Sequence, residues 1–191
     1  MKQAPLILAS TSPYRRELMA RLQLPFTTEA PDFEEAAPGD MAPEALVAHN
    51  TLGKARAVAA RHPEATIVAS DQIAVCDAHV LGKPGNVAQA CRQLAMLSGR
   101  TATFLTGLAV IADGREAYEC VPFRVEFREL TEAEIRTYVA LDEPLGCAGA
   151  FKAEGLGISL FARMAGEDPT ALIGLPLIRL SAHLKPLQRS G

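Results

Sequence analysis

Between Ser10 and Arg16 the chain places three aliphatic hydroxyls, an aromatic ring and two guanidinium groups in one short segment, Ser10-Thr11-Ser12-Pro13-Tyr14-Arg15-Arg16. It follows Leu6-Ile7-Leu8, an apolar run that predicts a buried strand. Ser12 stands where a helix N-cap belongs and Pro13 where the first helical residue belongs. Hydroxyls, guanidinium groups and the unpaired N–H groups of a helix start suit a phosphate-rich anion. The helix dipole disfavours arginine at that end, so a pair of arginines implies a ligand that supplies negative charge. The plain alternative is a solvated pair beside an ordinary cap.

Three further groups fall at element ends, where α/β proteins place ligands. Asp32, Glu34 and Glu35 lie on one predicted loop. Clustered carboxylates there hold Mg²⁺ or Mn²⁺, or are simply solvated. Ser70-Asp71-Gln72 ends an apolar strand, and Asp71 suits a general base, a metal ligand or a turn cap. Lys83, in Gly82-Lys83-Pro84, reaches phosphate oxygens as a point charge or is a surface lysine, and Lys54 on a helix has the same two readings. The sequence contains no G-x-x-x-x-G-K-[ST], G-x-G-x-x-G, H-E-x-x-H or G-x-S-x-G. Its histidines, His49, His62, His79 and His183, are too far apart in sequence for a ligand pair. Cationic groups, acids and hydroxyls at element ends suit an enzyme that binds a polyphosphate through a divalent metal.

The elements that must position these groups follow from periodicity and caps. The pattern predicts strands at 6–10, 26–28, 66–69 (continued by 73–76), 101–111, 119–127 and 158–164. It predicts helices at 13–23, 43–60, from Asn86 to 97, 131–141 (opened by a Thr131/Glu134 capping box) and from about Pro176. Residues 30–42 read as a loop, and Asp113-Gly114 as a hairpin turn. The order implies an α/β fold, a mixed sheet with flanking helices, and the lack of a clean linker favours a cleft between two lobes of a single domain, 1–191.

The chain has 191 residues, 49% of them hydrophobic, which is ample for such a core. A net charge of −3 argues against non-specific nucleic-acid binding. No stretch reads as a signal peptide or a membrane span. Cys76, Cys91, Cys120 and Cys147 form no C-x-x-C, so reduced thiols in a cytoplasmic protein are expected.

Taken in order, these segments resemble the Maf family of nucleoside triphosphate pyrophosphatases. The likeness runs from Leu6-Ile7-Leu8-Ala9-Ser10 through Ser12-Pro13, Arg15-Arg16, Glu35, Lys54-Ala55, Ser70-Asp71-Gln72, Gly82-Lys83-Pro84, Ser98-Gly99, Thr106-Gly107 and Ala148-Gly149-Ala150-Phe151 to Gly174-Leu175-Pro176-Leu177. No single motif decides it; the order and spacing do. The resemblance implies a mixed α/β fold with a deep central cleft, similar to the inosine triphosphate pyrophosphatases. It also implies hydrolysis of a nucleoside triphosphate to monophosphate and pyrophosphate with a divalent metal, Mg²⁺ or Mn²⁺. It assigns phosphate binding to Ser10, Arg15, Arg16, Lys54 and Lys83, proton acceptance to Asp71 and metal binding to Glu35.

Within the family, pyrimidine-specific members carry arginine after the Ser-Pro and glutamine in the later glycine-rich loop. This chain has Tyr14 and Glu154, a pattern that resembles the branch acting on 7-methyl-GTP. An aromatic face attracts a methylated, cationic guanine. A carboxylate accepts the guanine N1–H and N2–H together. Gln72 joins Tyr14 and Glu154 as a candidate for specificity. The alternatives are a dTTP/UTP pyrophosphatase and a nucleotide-binding regulator of cell division. The expected partner is a small nucleotide, with neither nucleic acid nor membrane, and a homodimer is the candidate assembly. Two departures stand out: relatives carry tryptophan where Tyr14 stands, and His49-Asn50-Thr51-Leu52-Gly53 puts glycine just before Lys54.

Overall fold

The computed structural model describes residues 4–39 and 41–188. Its strands are β1 (Leu6–Ala9), β2 (Thr27–Glu29), β3 (Thr66–Cys76), β4 (His79–Leu81), β5 (Thr101–Ala112), β6 (Arg115–Phe127) and β7 (Phe161–Gly166). Its helices are α1 (Pro13–Ala20), α2 (Pro43–Ala59), α3 (Val87–Leu97), α4 (Glu132–Asp142), α5 (Pro169–Ile173) and α6 (Leu177–Gln188). The strands form one seven-stranded sheet in the order β2-β1-β3-β5-β6-β7, with β4 paired to β3. β1 runs parallel to both β2 and β3, whereas β3–β4 and β6–β7 are antiparallel, so the sheet is mixed. Among the described residues no helix is long and apolar enough to cross a membrane.

Contacts divide the chain into two compact units: residues 1–71, 106–121 and 168–191 in the first, 72–105 and 122–167 in the second. β3, β5 and β6 run on from one unit into the other.

The first unit has three layers, and strand alternation assigns the faces. Leu8, Val68, Leu108 and Val110 point one way and pack with Leu18 and Met19 of α1 and Leu177, Leu180 and Leu184 of α6. Ile7, Ala9, Ile67, Ala69 and Ala109 point the other way and pack with Ala55 and Val58 of α2. By the same alternation Ser70 continues the α1/α6 face and Asp71 the α2 face. Thr51 of α2 sits so close to β5 at Gly107 that an added Cβ there would lie 2.2 Å from the Thr51 hydroxyl. Only glycine permits that approach, which seats the turn of α2 that carries Lys54.

In the second unit Phe151 stacks edge-on against Phe104, Phe127 and Phe161, with centroids 5.1, 5.5 and 4.9 Å away. The cluster fixes the start of the glycine-rich loop. Lys152 anchors the next residue: its N–H donates to the Tyr138 hydroxyl at 3.0 Å, and its ammonium donates to the Asp142 carbonyl. Both partners lie on α4, whose Thr131/Glu134 capping box is formed as predicted.

Local signals located most elements within a few residues. Ser12 and Asn86 cap α1 and α3 through their side chains. The Asp113-Gly114 turn has positive φ at both residues (50° and 72°), which suits the twist of a tight hairpin. One strand is misplaced: the predicted 158–164 begins at Phe161, because Leu156–Leu160 winds into a 3-10 turn closed by Ser159 Oγ on the Leu156 carbonyl at 2.7 Å. Arg128 then holds that turn, its N–H on the Leu160 carbonyl and its Nε–H on the Ser159 carbonyl. The expected helix 13–23 ends at Ala20, and β4 and α5 are too short to show in the pattern.

Candidate active site

Leu8 stands opposite Val68 in the parallel β1–β3 pair, so Ser10 leaves β1 at the level where Ser70 and Asp71 lie on β3. Carboxyl ends of parallel strands are where such sheets gather ligand groups. Lys54 reaches the same place from α2. Its ammonium donates to Asp71 Oδ1 at 2.6 Å and to Glu35 Oε1 at 2.7 Å. Lys54 and Asp71 are each 6% exposed, whereas the Glu35 side chain is half open to water.

Arg15 completes the cluster. Its Nε–H donates to the Gly174 carbonyl at 2.9 Å, and among the described residues its two Nη groups donate to no protein acceptor. Arg15 is half-buried. Withdrawal of its head from water pulls its pKa below the usual arginine value, and the charges of Asp71 and then Glu35 oppose that pull. Two cations and two carboxylates thus form a neutral set. Nearly dry charges need paired partners at hydrogen-bond distance, and Lys54 and Asp71 supply them to each other.

The Gly174 carbonyl that holds Arg15 is itself fixed. Ser70 Oγ lies 2.6 Å from the Gly107 carbonyl and 2.9 Å from that of Gly174, its one proton serving one acceptor at a time. Asp168, 1% exposed, accepts from the Thr170 N–H and hydroxyl and from the Ile178 N–H, so one carboxylate caps α5 and α6 together. The bend between those helices is therefore rigid where it meets Arg15.

The start of α1 differs from the expectation of several free donors. Ser12 donates its N–H to Ser10 Oγ at 3.1 Å, and Arg15 donates its N–H to Ser12 Oγ at 3.4 Å. Anion attraction there rests more on the guanidinium groups and the helix dipole than on bare amides. Ser10 is buried, Tyr14 half-buried and Arg16 exposed on the same segment.

Of the three loop acids, Glu35 joins the cluster, while Asp32 and Glu34 are exposed. The structure therefore brings Arg15, Glu35, Lys54 and Asp71 into one charge cluster. Gln72, Lys83 and Glu154 belong to the second unit. Gln72 follows Asp71 on β3 and is half-buried. Lys83 is exposed on a loop held by Gly85 N–H on the Leu145 carbonyl and Gln93 on the Gly82 carbonyl. Glu154 is exposed two residues beyond the anchored Lys152.

Sequence reasoning did not find Ser70 as a bracket, the Gly174 carbonyl or Tyr118. Tyr118 lies against Gly107, and burial pushes its phenol up, with Cys120 and the Asp71 charge adding to the shift; it stays protonated. Gly53 does not break α2, which runs unbroken through it. The ring of Phe33 occupies the space a Cβ would need, 2.2 Å from the position of that atom.

Glu35 and Asp71 converge on one cation, the Lys54 ammonium. An oxygen-only carboxylate pair fits a hard divalent ion that completes its shell with phosphate oxygens and water. Among the described residues no group of three or more His, Cys, Asp or Glu gathers into a self-sufficient metal cage.

The model of the Maf-like protein family matches residues 5–187. A 7-methyl-GTP pyrophosphatase of Pseudomonas aeruginosa is 52% identical over 92% of each chain. Proteins of the same name from Alkalilimnicola ehrlichii and Idiomarina loihiensis are also 52% identical, over 94% and 95% of this chain and 91% and 93% of theirs. The solved Staphylococcus aureus Ham1 protein overlaps with a TM-score of 0.46 at 15% identity, covering 64% of this chain and 71% of that one. The family match runs almost end to end and spans every residue of the charge cluster, and the chain belongs to the Maf family.

Proposed function

We propose that the chain is a nucleoside triphosphate pyrophosphatase that hydrolyses 7-methyl-GTP to the monophosphate and pyrophosphate. The observation that carries the chemistry is the Lys54 ammonium held between Asp71 and Glu35 beside Arg15. A triphosphate entering that cluster trades one set of anions for another. Its oxygens draw Lys54 and the two Arg15 Nη groups, and the carboxylates are released from the lysine. Asp71 then has a free oxygen with which to take a proton from water attacking the α-phosphorus. Arg15, Arg16 and Lys54 stabilise the charge that develops on the departing pyrophosphate. A divalent ion held by Glu35, with Asp71 in reach, supplies further neutralisation of the phosphate charge when bound. A pure nucleotide-binding regulator has no need of a general base beside the α-phosphorus, so turnover that depends on Asp71 separates the two readings. The four cysteines, none of them in a disulfide, suit a reducing compartment such as the cytoplasm.

Base choice follows from two side chains, taken separately. Tyr14, in the first turn of α1, offers a π face to a cationic purine, where arginine would repel it. Glu154, on its anchored loop, accepts both donors of a guanine edge, where glutamine loses the charge assistance. Three relatives about half identical to this chain are named for 7-methyl-GTP, which supports the same substrate.

Asp71→Asn keeps the size of the side chain but removes the base. Turnover should fall by roughly 10²–10⁴-fold, with nucleotide binding by equilibrium dialysis largely retained. A melting curve checks the fold, because Lys54 loses its buried partner. Near-native turnover would remove Asp71 from the mechanism.

Exhaustive chelation should abolish hydrolysis, and Mg²⁺ or Mn²⁺ should restore it. Undiminished activity in chelator would rule out the metal, and Glu35 as its ligand.

Tyr14→Arg and Glu154→Gln should each depress 7-methyl-GTP hydrolysis more than UTP hydrolysis. The contacts at stake are about 0.5–2 kcal/mol for the ring and roughly 1.5–3 kcal/mol for each charge-assisted hydrogen bond. Equal losses on every triphosphate would mean that the two residues support the fold and do not choose the base.

A further inference from the structure

Glu35 lies on the loop between β2 and α2, so something other than secondary structure must hold its carboxylate over Lys54. One turn of α2 does so at two points. Asn50, 3% exposed, accepts the Ala36 N–H on its Oδ1 at 2.9 Å and donates its Nδ2–H to the Ala36 carbonyl at 3.3 Å. A single carboxamide thereby pairs with both backbone groups of the residue next to Glu35. Three residues further along α2, the Phe33 ring lies over Gly53 where a side chain would otherwise be, and it also meets the His49 ring at 5.6 Å. Phe33 and Ala36 flank Glu35 in sequence. Asn50 and Lys54 are one helical turn apart and so share a face of α2. The spacing that places the clasp on Ala36 also places the ammonium under Glu35.

We propose that Asn50 and Gly53 are positioning residues for Glu35: they clamp the acidic loop onto α2 so that the Glu35 carboxylate and Asp71 converge on one cation. The proposal rests on the reading of Glu35 as the metal-holding acid. It explains why a buried amide stands one turn before Lys54, and why glycine precedes that lysine in mid-helix. Alanine there would favour the helix but drive Phe33 off it. Neither residue touches the reacting atoms, and both act through Glu35.

The test is a double-mutant cycle in the full-length protein, read as kcat/KM with whichever triphosphate the wild-type enzyme hydrolyses best. Asn50→Ala should lower kcat/KM on the order of ten- to a hundred-fold, the scale of a misplaced catalytic group. It should raise the Mn²⁺ concentration for half-maximal rate. In a Glu35→Gln background the same change should cost less than about twofold, since the group it positions is already gone. Gly53→Ala should reproduce the raised Mn²⁺ requirement without a lower melting temperature, which separates loss of position from loss of fold. Hydrogen exchange of the Ala36 amide should quicken in Asn50→Ala, and calorimetric Mn²⁺ binding should weaken in both variants. Full additivity with Glu35→Gln, or an unchanged Mn²⁺ midpoint and binding isotherm in both variants, would overturn the proposal. If the wild-type protein hydrolyses no triphosphate, the proposed activity fails, while amide exchange and Mn²⁺ binding still decide whether the clamp presents Glu35 to a cation.

Discussion

An ammonium group that is almost dry must be matched by negative charge at hydrogen-bond distance, and Lys54 meets that constraint with Asp71 and Glu35. Much of the first unit serves the match. β1 and β3 run parallel, so Ser10 and Asp71 lie at one level. Thr51 packs on the bare Cα of Gly107 and fixes how closely α2, and hence Lys54, approaches the sheet. Asp168 caps two helices so that one carbonyl between them, that of Gly174, can orient Arg15. Breaking a buried pair by deleting one partner costs about 3–5 kcal/mol in other proteins. The same interaction that prepares the site therefore also ties it to the stability of the fold.

The match has a chemical use beyond stability. Before substrate binds, Lys54 and Arg15 are neutralised by acids that the proposed reaction needs in another role. In the proposed reaction a triphosphate competes for the cations with several oxygens at once, which would leave the carboxylates for the proton and a divalent ion. Binding and activation are then a single exchange of partners. Arg15, Lys54 and Asp71 each come from a helix or strand, and only Glu35 comes from a loop.

What the sequence made legible was local. Ser12-Pro13, Asn86 and the Thr131/Glu134 box announce helix starts because capping acts over two or three residues. Asp113-Gly114 announces its hairpin for the same reason. The cluster itself joins residues far apart in the chain: Lys54 with Asp71 across 17 positions, and Arg15 with the Gly174 carbonyl across 159. No periodicity encodes such pairs: residue types offered Glu35 and Lys54 only beside the plain reading of solvated charges, and the Maf resemblance singled them out. Backbone partners such as Gly174 and Ala36 were invisible because any residue type supplies a carbonyl or an N–H. The strand placed at 158–164 was started too early because its apolar residues read as a buried run, whereas Ile158 is 54% exposed on a 3-10 turn and the strand begins at Phe161. The glycine at position 53, which looked like a weakness in a helix, marks a close approach.

In the proposed reaction water attacks the α-phosphorus beside Asp71, and pyrophosphate is the leaving group. Hydrolysis of 7-methyl-GTP in ¹⁸O-labelled water, with both products analysed by mass spectrometry, tests this directly. The predicted result is one ¹⁸O in the nucleoside monophosphate and none in pyrophosphate. Label in pyrophosphate, or release of labelled inorganic phosphate with a nucleoside diphosphate, would contradict it.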